Sequence, residues 1–232
     1  GWLQRLIAKV TLASYKYHIV QSETESEQVF ELIGKTADLI FPHPAHQKTR
    51  LKSNSKRAVD MNTTVFLSIG LIRPYKNLPM LMRAFTSIVD PTVQLRVLGE
   101  CWDENLDREL SALSIRDPRI QYQNSYISSE LFENEIANAD FVVLPYSKVT
   151  GSGVLADCFE AGTPVIAPDL QYFKAQIVEG KDGLLFSKNS ESSLRDTLLL
   201  ARGEKGKAVP KVRNTWRDSG EELTQFLRST SD

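Results

Sequence analysis

From residue 64 onward the chain alternates without a break between short apolar β-rich runs and stretches with helical spacing, a pattern few folds accept. TVFLSIG (64–70) precedes a segment whose apolar positions, Leu78, Leu81, Met82, Phe85 and Ile88, recur at helical intervals. Asn77 reads as its N-cap, with Pro79 tolerated in the first turn. VQLRVLG (93–99) precedes a helix over 103–114. RIQYQ (119–123) precedes one over 129–137, entered through Ser128, Ser129 and Glu130. DFVVLP (140–145) leads into a glycine-bearing stretch that opens another helix. PVIAPD (164–169), a helix over 171–178 and GLLF (183–186) complete the series. Strands that are apolar at nearly every position are buried on both faces. The expected fold is therefore α/β, a Rossmann-like parallel sheet with helices on both sides.

The first sixty residues repeat this alternation only in part. A helix (2–13), a strand YHIVQ (17–21), a helix after Ser22 (23–33) and a strand DLIF (38–41) form an incomplete α/β unit. Two parallel strands bury too little apolar area to stand alone. They are expected to dock on the main domain or to be the tail of another, and a chain that opens on Gly1 is expected to be a piece of a longer one. The boundaries read as 1–47 for this segment, 48–61 for a linker, 62–213 for the main domain and 214–232 for a last helix. That helix carries Trp216, Leu223, Phe226 and Leu227. KTRLKSNSKR (48–57) holds five basic residues and no acid. It reads as a solvated linker, with a phosphate or membrane patch as the alternative.

Composition narrows the function classes. A net charge of −1 gives no reason to expect a nucleic-acid partner. The two cysteines, Cys101 and Cys158, lie outside any C-x-x-C spacing, which argues against a disulfide framework or zinc site and fits a reducing compartment. No apolar run approaches the ~20 residues of a membrane-spanning helix. The N-terminal WLQRLIAKVTLA is broken by Gln4, Arg5 and Lys9, so it is not a signal-peptide core.

Two turns carry the chemistry. In TGSGVLAD (150–157), Ser152, Gly153 and Val154 sit at the start of a helix, where free amides and the dipole favour an anion. The glycines there would let a ligand approach the backbone, with the Ser152 hydroxyl as an added donor. A plain strand-to-helix connection explains the same glycines, and they do not decide between the two. In GLIRPYKN (70–77), Arg73 and Lys76 flank a second helix N-terminus. Cations oppose the dipole there unless something negative occupies the site. Both turns follow strands of one parallel sheet and can face each other over its carboxyl edge, with a pyrophosphate between them.

The residues SIGLIRPYKNLPMLMRAF, DFVVLPY and SGVLADCFEAGTPVIAPD, in that order and spacing, resemble the donor domain of retaining glycosyltransferases, the large family 4 group with GT-B architecture. GKDGLLF, a following helix and the Trp216 helix fit the same pattern, so the resemblance covers about residues 62–230. FPHPAH (41–46) resembles the segment by which such enzymes leave an N-terminal acceptor domain.

This resemblance implies a hexosyltransferase that uses a nucleoside diphosphate sugar, GDP- or UDP-linked, and a saccharide or lipid-linked acceptor, in polysaccharide or glycolipid assembly. It implies no bound metal and no cofactor. It also implies a cytoplasmic protein, at the inner face of the membrane if it associates peripherally, and a missing N-terminal domain or partner subunit. The diphosphate would be held by Gly70, Arg73, Lys76, Ser152, Gly153 and Val154. Leu71 replaces an arginine often found after the glycine, leaving Arg73 to serve. The ribose and sugar would be met by Asp157 and Glu160, the base by Glu100, Tyr126 and Ile127. Of the family's two glutamates, with seven residues between them, the second falls on Asp157 and the first on Val149, whose side chain cannot hydrogen-bond a sugar hydroxyl.

Two rival readings stand beside this one. Gly151, Gly153 and Ala156 match a dinucleotide fingerprint, with Asp169 near the position of the ribose acid, although five residues separate Pro145 from Gly151. A non-catalytic module that binds nucleotide or pairs with a complete enzyme would also account for Val149. His43 and His46 have H-x-x-H spacing, but Pro44 disfavours a helix and no third ligand is apparent, so they read as loop histidines. G-S-G lacks the frame of a nucleophile elbow.

Overall fold

The computed structural model describes residues 1–44, 63–210 and 216–230. The main domain is a parallel sheet of β3 (Thr64–Ile69), β4 (Val93–Gly99), β5 (Ile120–Asn124), β6 (Phe141–Val143), β7 (Val165–Pro168) and β8 (Gly183–Phe186). Its spatial order is β5-β4-β3-β6-β7-β8. The chain winds outward from β3 to one edge, returns to pair β6 beside β3, and winds outward to the other edge. Loops leaving β3 and β6 therefore diverge, and the carboxyl edge between them is the place where such sheets leave a crevice.

Alternation along the strands sorts the core onto two faces. Phe66, Leu95, Phe141 and Val143 point to one side, under α3 (Leu78–Thr86), α4 (Glu104–Arg116) and α8 (Glu191–Gly203). Leu67, Leu98 and Val142 point to the other, where α5 (Ser129–Asn138), α6 (Gly153–Ala161) and α7 (Gln171–Gln176) cover them. Phe66, Phe85, Phe141 and Phe173 are fully enclosed. Both sides of the sheet are dry, as the continuous apolar strands require.

Side chains fix several helix starts. Asp103, Ser128, Ser152 and Ser190 each accept from an amide of the first turn. Asn77 departs from its expected role. It precedes α3 but sits in the left-handed region at φ 53° and caps nothing. Its amide donates instead to Met80 Sδ at 3.3 Å. The tight 3₁₀ turn Pro74–Lys76 ends on Asn77, and that turn sets its backbone. α8, apparent in the sequence only through the family pattern, is a full helix under Leu194 and Leu198.

The N-terminal segment holds α1 (Trp2–Ala13), β1 (Ile19–Val20), α2 (Glu23–Ile33) and β2 (Leu39–Ile40), with β1 and β2 parallel. α1 buries none of its residues. The segment is tied to the main domain from above: Gln171 at the start of α7 donates to Glu27 of α2 at 2.9 Å. α9 (Trp216–Ser229) joins it from the other end of the chain, with Phe226 edge-on to Tyr17 at 5.7 Å. The basic linker, His46 and the Trp216 side chain lie outside the described residues.

Candidate functional site

The turn after β3 begins on Gly70, whose φ of 101° only glycine adopts without strain. Gly99, at the end of β4, lies so close that a Cβ there would collide with the Gly70 carbonyl. Ile72 N–H donates to the Glu100 carbonyl at 2.8 Å, which pins the turn to the β4 loop. The 3₁₀ turn then swings Lys76 inward. Its side chain is only 7% exposed, with the ammonium 5.5 Å from the centroid of Tyr146.

The turn after β6 meets the first one directly. Ser147 donates to the Tyr75 carbonyl through its amide at 2.8 Å and its hydroxyl at 3.1 Å. Tyr75 and Tyr146 pack edge to face. A Cβ on Gly70 would lie 3.5 Å from Lys76 Nζ and 3.7 Å from Val154 Cγ2. One small region thus holds Gly70, the Lys76 ammonium and the first turn of α6.

The electrostatics of this region are unusual. No carboxylate among the described residues pairs with Lys76 or Arg73. Burial, and secondarily the nearby Arg73, pull the Lys76 ammonium from 10.5 down to about 8. At Lys76 a charge has been taken out of water with no counter-charge among the described residues, which proteins avoid unless a ligand supplies one. The Arg73 guanidinium rests over Trp102 at 4.4 Å.

The helix end differs from the expected cradle in two details. The Ser152 amide donates to the Tyr172 hydroxyl at 3.1 Å, and the Ser152 hydroxyl accepts from Leu155 N–H at 3.2 Å. The Ser152 amide is therefore taken by Tyr172, which reaches over from α7, while its hydroxyl accepts as the cap of α6 and keeps its own proton to donate. The amides of Gly153 and Val154, the first two of the helix, remain to face an anion. The glycines also answer to neighbours within the chain. A Cβ on Gly153 would lie 3.1 Å from His43 Cε1, and one on Gly151 would lie 2.6 Å from Gln21 Oε1. His43 Nδ1 is fixed on the Pro44 carbonyl at 2.7 Å. Their smallness accommodates the N-terminal segment, a role that sequence spacing does not reveal.

The remaining candidates are dispersed around this centre. Asp157 is buried, one helical turn beyond Gly153 on the same face, and Glu160 follows three residues on. Glu100 offers its carbonyl to Ile72. Tyr126 is 73% exposed beyond β5, and Ile127 packs against the α5–α6 side of the core. Val149 packs into that same apolar cluster. Asp169, the ribose acid of the dinucleotide reading, accepts from Lys188 N–H at 2.8 Å and so joins the ends of β7 and β8. Both cysteines are buried and free. Among the described residues no three His, Cys, Asp or Glu side chains gather where a metal could be held, and no helix is long and apolar enough to cross a membrane. Trp102, Tyr146 and Tyr172 border the site and were not singled out by sequence, and His43, read there as a loop histidine, borders it too. Their only signal there is position, each lying within ten residues of a strand's carboxyl end or of the turn that follows it.

Comparison with known proteins places this geometry. The chain is 30% identical over 113 residues to the GDP-mannose:glycolipid 4-beta-D-mannosyltransferase of Xanthomonas campestris pv. campestris, a match covering 47% of this chain and 32% of that one. It is 25% identical over 175 residues to a D-inositol 3-phosphate glycosyltransferase of Corynebacterium glutamicum (strain R), covering 72% of this chain and 42% of the relative. It therefore spans less than half the length of these relatives. The fold matches that of sucrose-phosphate synthase from Thermosynechococcus elongatus with a TM-score of 0.84 at 18% identity, over 99% of this chain and 62% of the synthase. HepE of Anabaena, solved in complex with UDP and glucose, matches with a TM-score of 0.79 at 13% identity, over 99% of this chain and 68% of HepE. The family model described as glycosyl transferases group 1 matches residues 63–201, more than half of the chain, which belongs to that family.

Proposed function

We propose that this chain binds a nucleoside diphosphate sugar at the meeting of the two turns and, within the complete enzyme, transfers its hexose to a saccharide or lipid-linked acceptor. The observation that carries this reading is Lys76, a buried ammonium with no carboxylate partner among the described residues, beside Gly70 and the first amides of α6. A diphosphate satisfies all three at once. Arg73 and Lys76 meet the negative charge that develops on the departing diphosphate, and the Gly153 and Val154 amides add fixed dipoles aimed at it. Asp157 and Glu160 are assigned to the ribose and sugar, and Glu100, Tyr126 and Ile127 to the base. The relatives support the donor class: one is named for GDP-mannose and a glycolipid, and another was solved with UDP and glucose.

Retention of the anomeric configuration is the outcome the family 4 resemblance implies, and the anomeric proton coupling of the product tests it. Leaving-group stabilisation by side chains and amides needs no metal, so a chelator should leave transfer unchanged. The acceptor side belongs to a further domain or partner subunit, with peripheral membrane association supplying access to a lipid-linked acceptor. Calorimetry with GDP, UDP, ADP and NAD tests the core of the proposal. One of the first two should bind saturably, and Arg73→Ala with Lys76→Ala should weaken that nucleoside diphosphate at least tenfold while sparing the nucleoside. Saturable NAD binding, or equal loss for nucleoside and diphosphate, would sink the assignment.

A second reading, a donor-binding subunit without turnover, draws on Val149, a partly buried residue packed against the core cluster where the resemblance puts an acid. Binding of the intact sugar nucleotide with neither transfer nor hydrolysis would select it.

A further inference from the structure

Arg73 sits at the rim of the site, and among the described residues its guanidinium has an aromatic neighbour and no carboxylate. Trp102 lies under it at 4.4 Å while 69% of the indole remains exposed. Surface exposure of a tryptophan leaves a large apolar face in water, so a stacked cation on that face is a gain for both groups.

Both partners stand on rigid ground. Cys101, next to Trp102, donates its amide to Asn124 Oδ1 at 2.8 Å and accepts from Asn124 Nδ2 at 3.1 Å. Ile72, next to Arg73, is bonded to the Glu100 carbonyl. The backbone that carries the ring is therefore held at the carboxyl edge. An unheld arginine would leave this place, since it carries considerable rotamer freedom and is repelled by Lys76, whose ammonium feels Arg73 as a like charge.

We infer that Trp102 is a positioning residue of the donor site: its indole face holds the Arg73 guanidinium beside Lys76, so that both cations are in place before the nucleoside diphosphate arrives. The inference rests on the donor reading above. Trp102 acts through Arg73 and not on the phosphates themselves. Its effect is on preorganisation, which shows in affinity because the ordering of Arg73 no longer has to be supplied on binding.

The test is a set of titrations with GDP and UDP on the whole chain, using whichever the wild type binds. Trp102→Leu should weaken binding about three- to fivefold, the size of an exposed cation–π contact. Trp102→Phe, which keeps an aromatic face, should lose about twofold or less. In an Arg73→Ala background, Trp102→Leu should cost nothing further. That coupling is the readout a merely structural tryptophan would not give. The substituted side chain is mostly in water, so folding is preserved. An equal loss in both backgrounds would mean that the ring touches the ligand itself, and tighter binding would mean that the stack holds Arg73 away; either overturns the inference. An unchanged affinity for Trp102→Leu overturns it too, while leaving the donor reading intact. Failure of the wild type to bind either nucleotide overturns the donor reading as well.

Discussion

The two turns that meet at the centre of the sheet are built on opposite plans. The turn after β3 is closed largely by backbone hydrogen bonds and carries inside it an ammonium with no carboxylate partner among the described residues. The turn after β6 carries its one cation, Lys148, exposed to solvent, and the groups at its helix end are engaged within the chain: Tyr172 takes the Ser152 amide, the Ser152 hydroxyl caps α6, and His43 lies on Gly153. Strain and unsatisfied charge belong to the first turn, and order supplied by neighbouring segments to the second. A site arranged this way keeps its electrostatic drive where the ligand will meet it and its rigidity on the other wall. The first turn should therefore respond to substitution with large effects, and the second with small ones that depend on the N-terminal segment.

The largest effect is expected at Gly99→Ala. The added Cβ would strike the Gly70 carbonyl, which is backbone and cannot step aside, at a residue whose φ of 156° is already one that side chains rarely adopt. A loss of roughly 3 kcal/mol or more is expected, lowering the melting temperature by about 6–12 °C for a domain of this size. A melting point within about a degree of wild type would show that the first turn is more yielding than this comparison holds.

Lys76→Met comes next and has the opposite sign. The ammonium's fall from 10.5 to about 8 corresponds to about 3 kcal/mol of folding stability withheld while it is charged. Its folded pKa lies below its unfolded one, so the charged form is the one that folding disfavours. The cost is complete below about pH 8 and disappears as pH rises towards 10.5. The methionine variant should thus be more stable than wild type at pH 7, with the gap closing across that window, and should bind nucleoside diphosphate poorly. Denaturant titrations at pH 7 and pH 10 check this. A methionine variant that is less stable than wild type at pH 7 would show that Lys76 contributes packing greater than its desolvation cost.

Much of this was legible in the residues themselves. Continuous apolar strands announced a sheet covered on both faces, and Phe66 and Leu67 divide between those faces as alternation demands. Lys76 and Arg73 stood out because cations at a helix start oppose its dipole. The glycines of the second turn were legible only as small residues. Their neighbours, Gln21 and His43, come from more than a hundred positions away, and no local spacing encodes such a contact. Asn77 misled for a related reason: the preference of asparagine for caps and for left-handed backbone is the same in sequence, and the preceding 3₁₀ turn selected the second. Ser152 was read as a ligand donor, and the structure adds a second task, the capping of α6, in which its hydroxyl accepts.

The smallest expected effect sharpens the comparison most, because it separates two influences within one substitution. Gly153→Ala places a methyl at the first position of α6, where alanine should gain up to about 1 kcal/mol over glycine through the unfolded chain. The same methyl would sit 3.1 Å from the His43 ring, tight enough that the ring must give. The imidazole is fixed by its bond to the Pro44 carbonyl, so giving way loosens that bond. In the native background the two influences should nearly cancel. With His43→Ala the crowding is gone, and Gly153→Ala should then stabilise by roughly 0.5–1 kcal/mol. This four-protein cycle, read by thermal melts, reports the coupling between the N-terminal segment and the phosphate turn without any ligand present. If Gly153→Ala has the same effect with and without His43, the start of α6 owes nothing to that residue, and the contrast between the two walls of the site has to rest on the first turn and on Gln21 against Gly151.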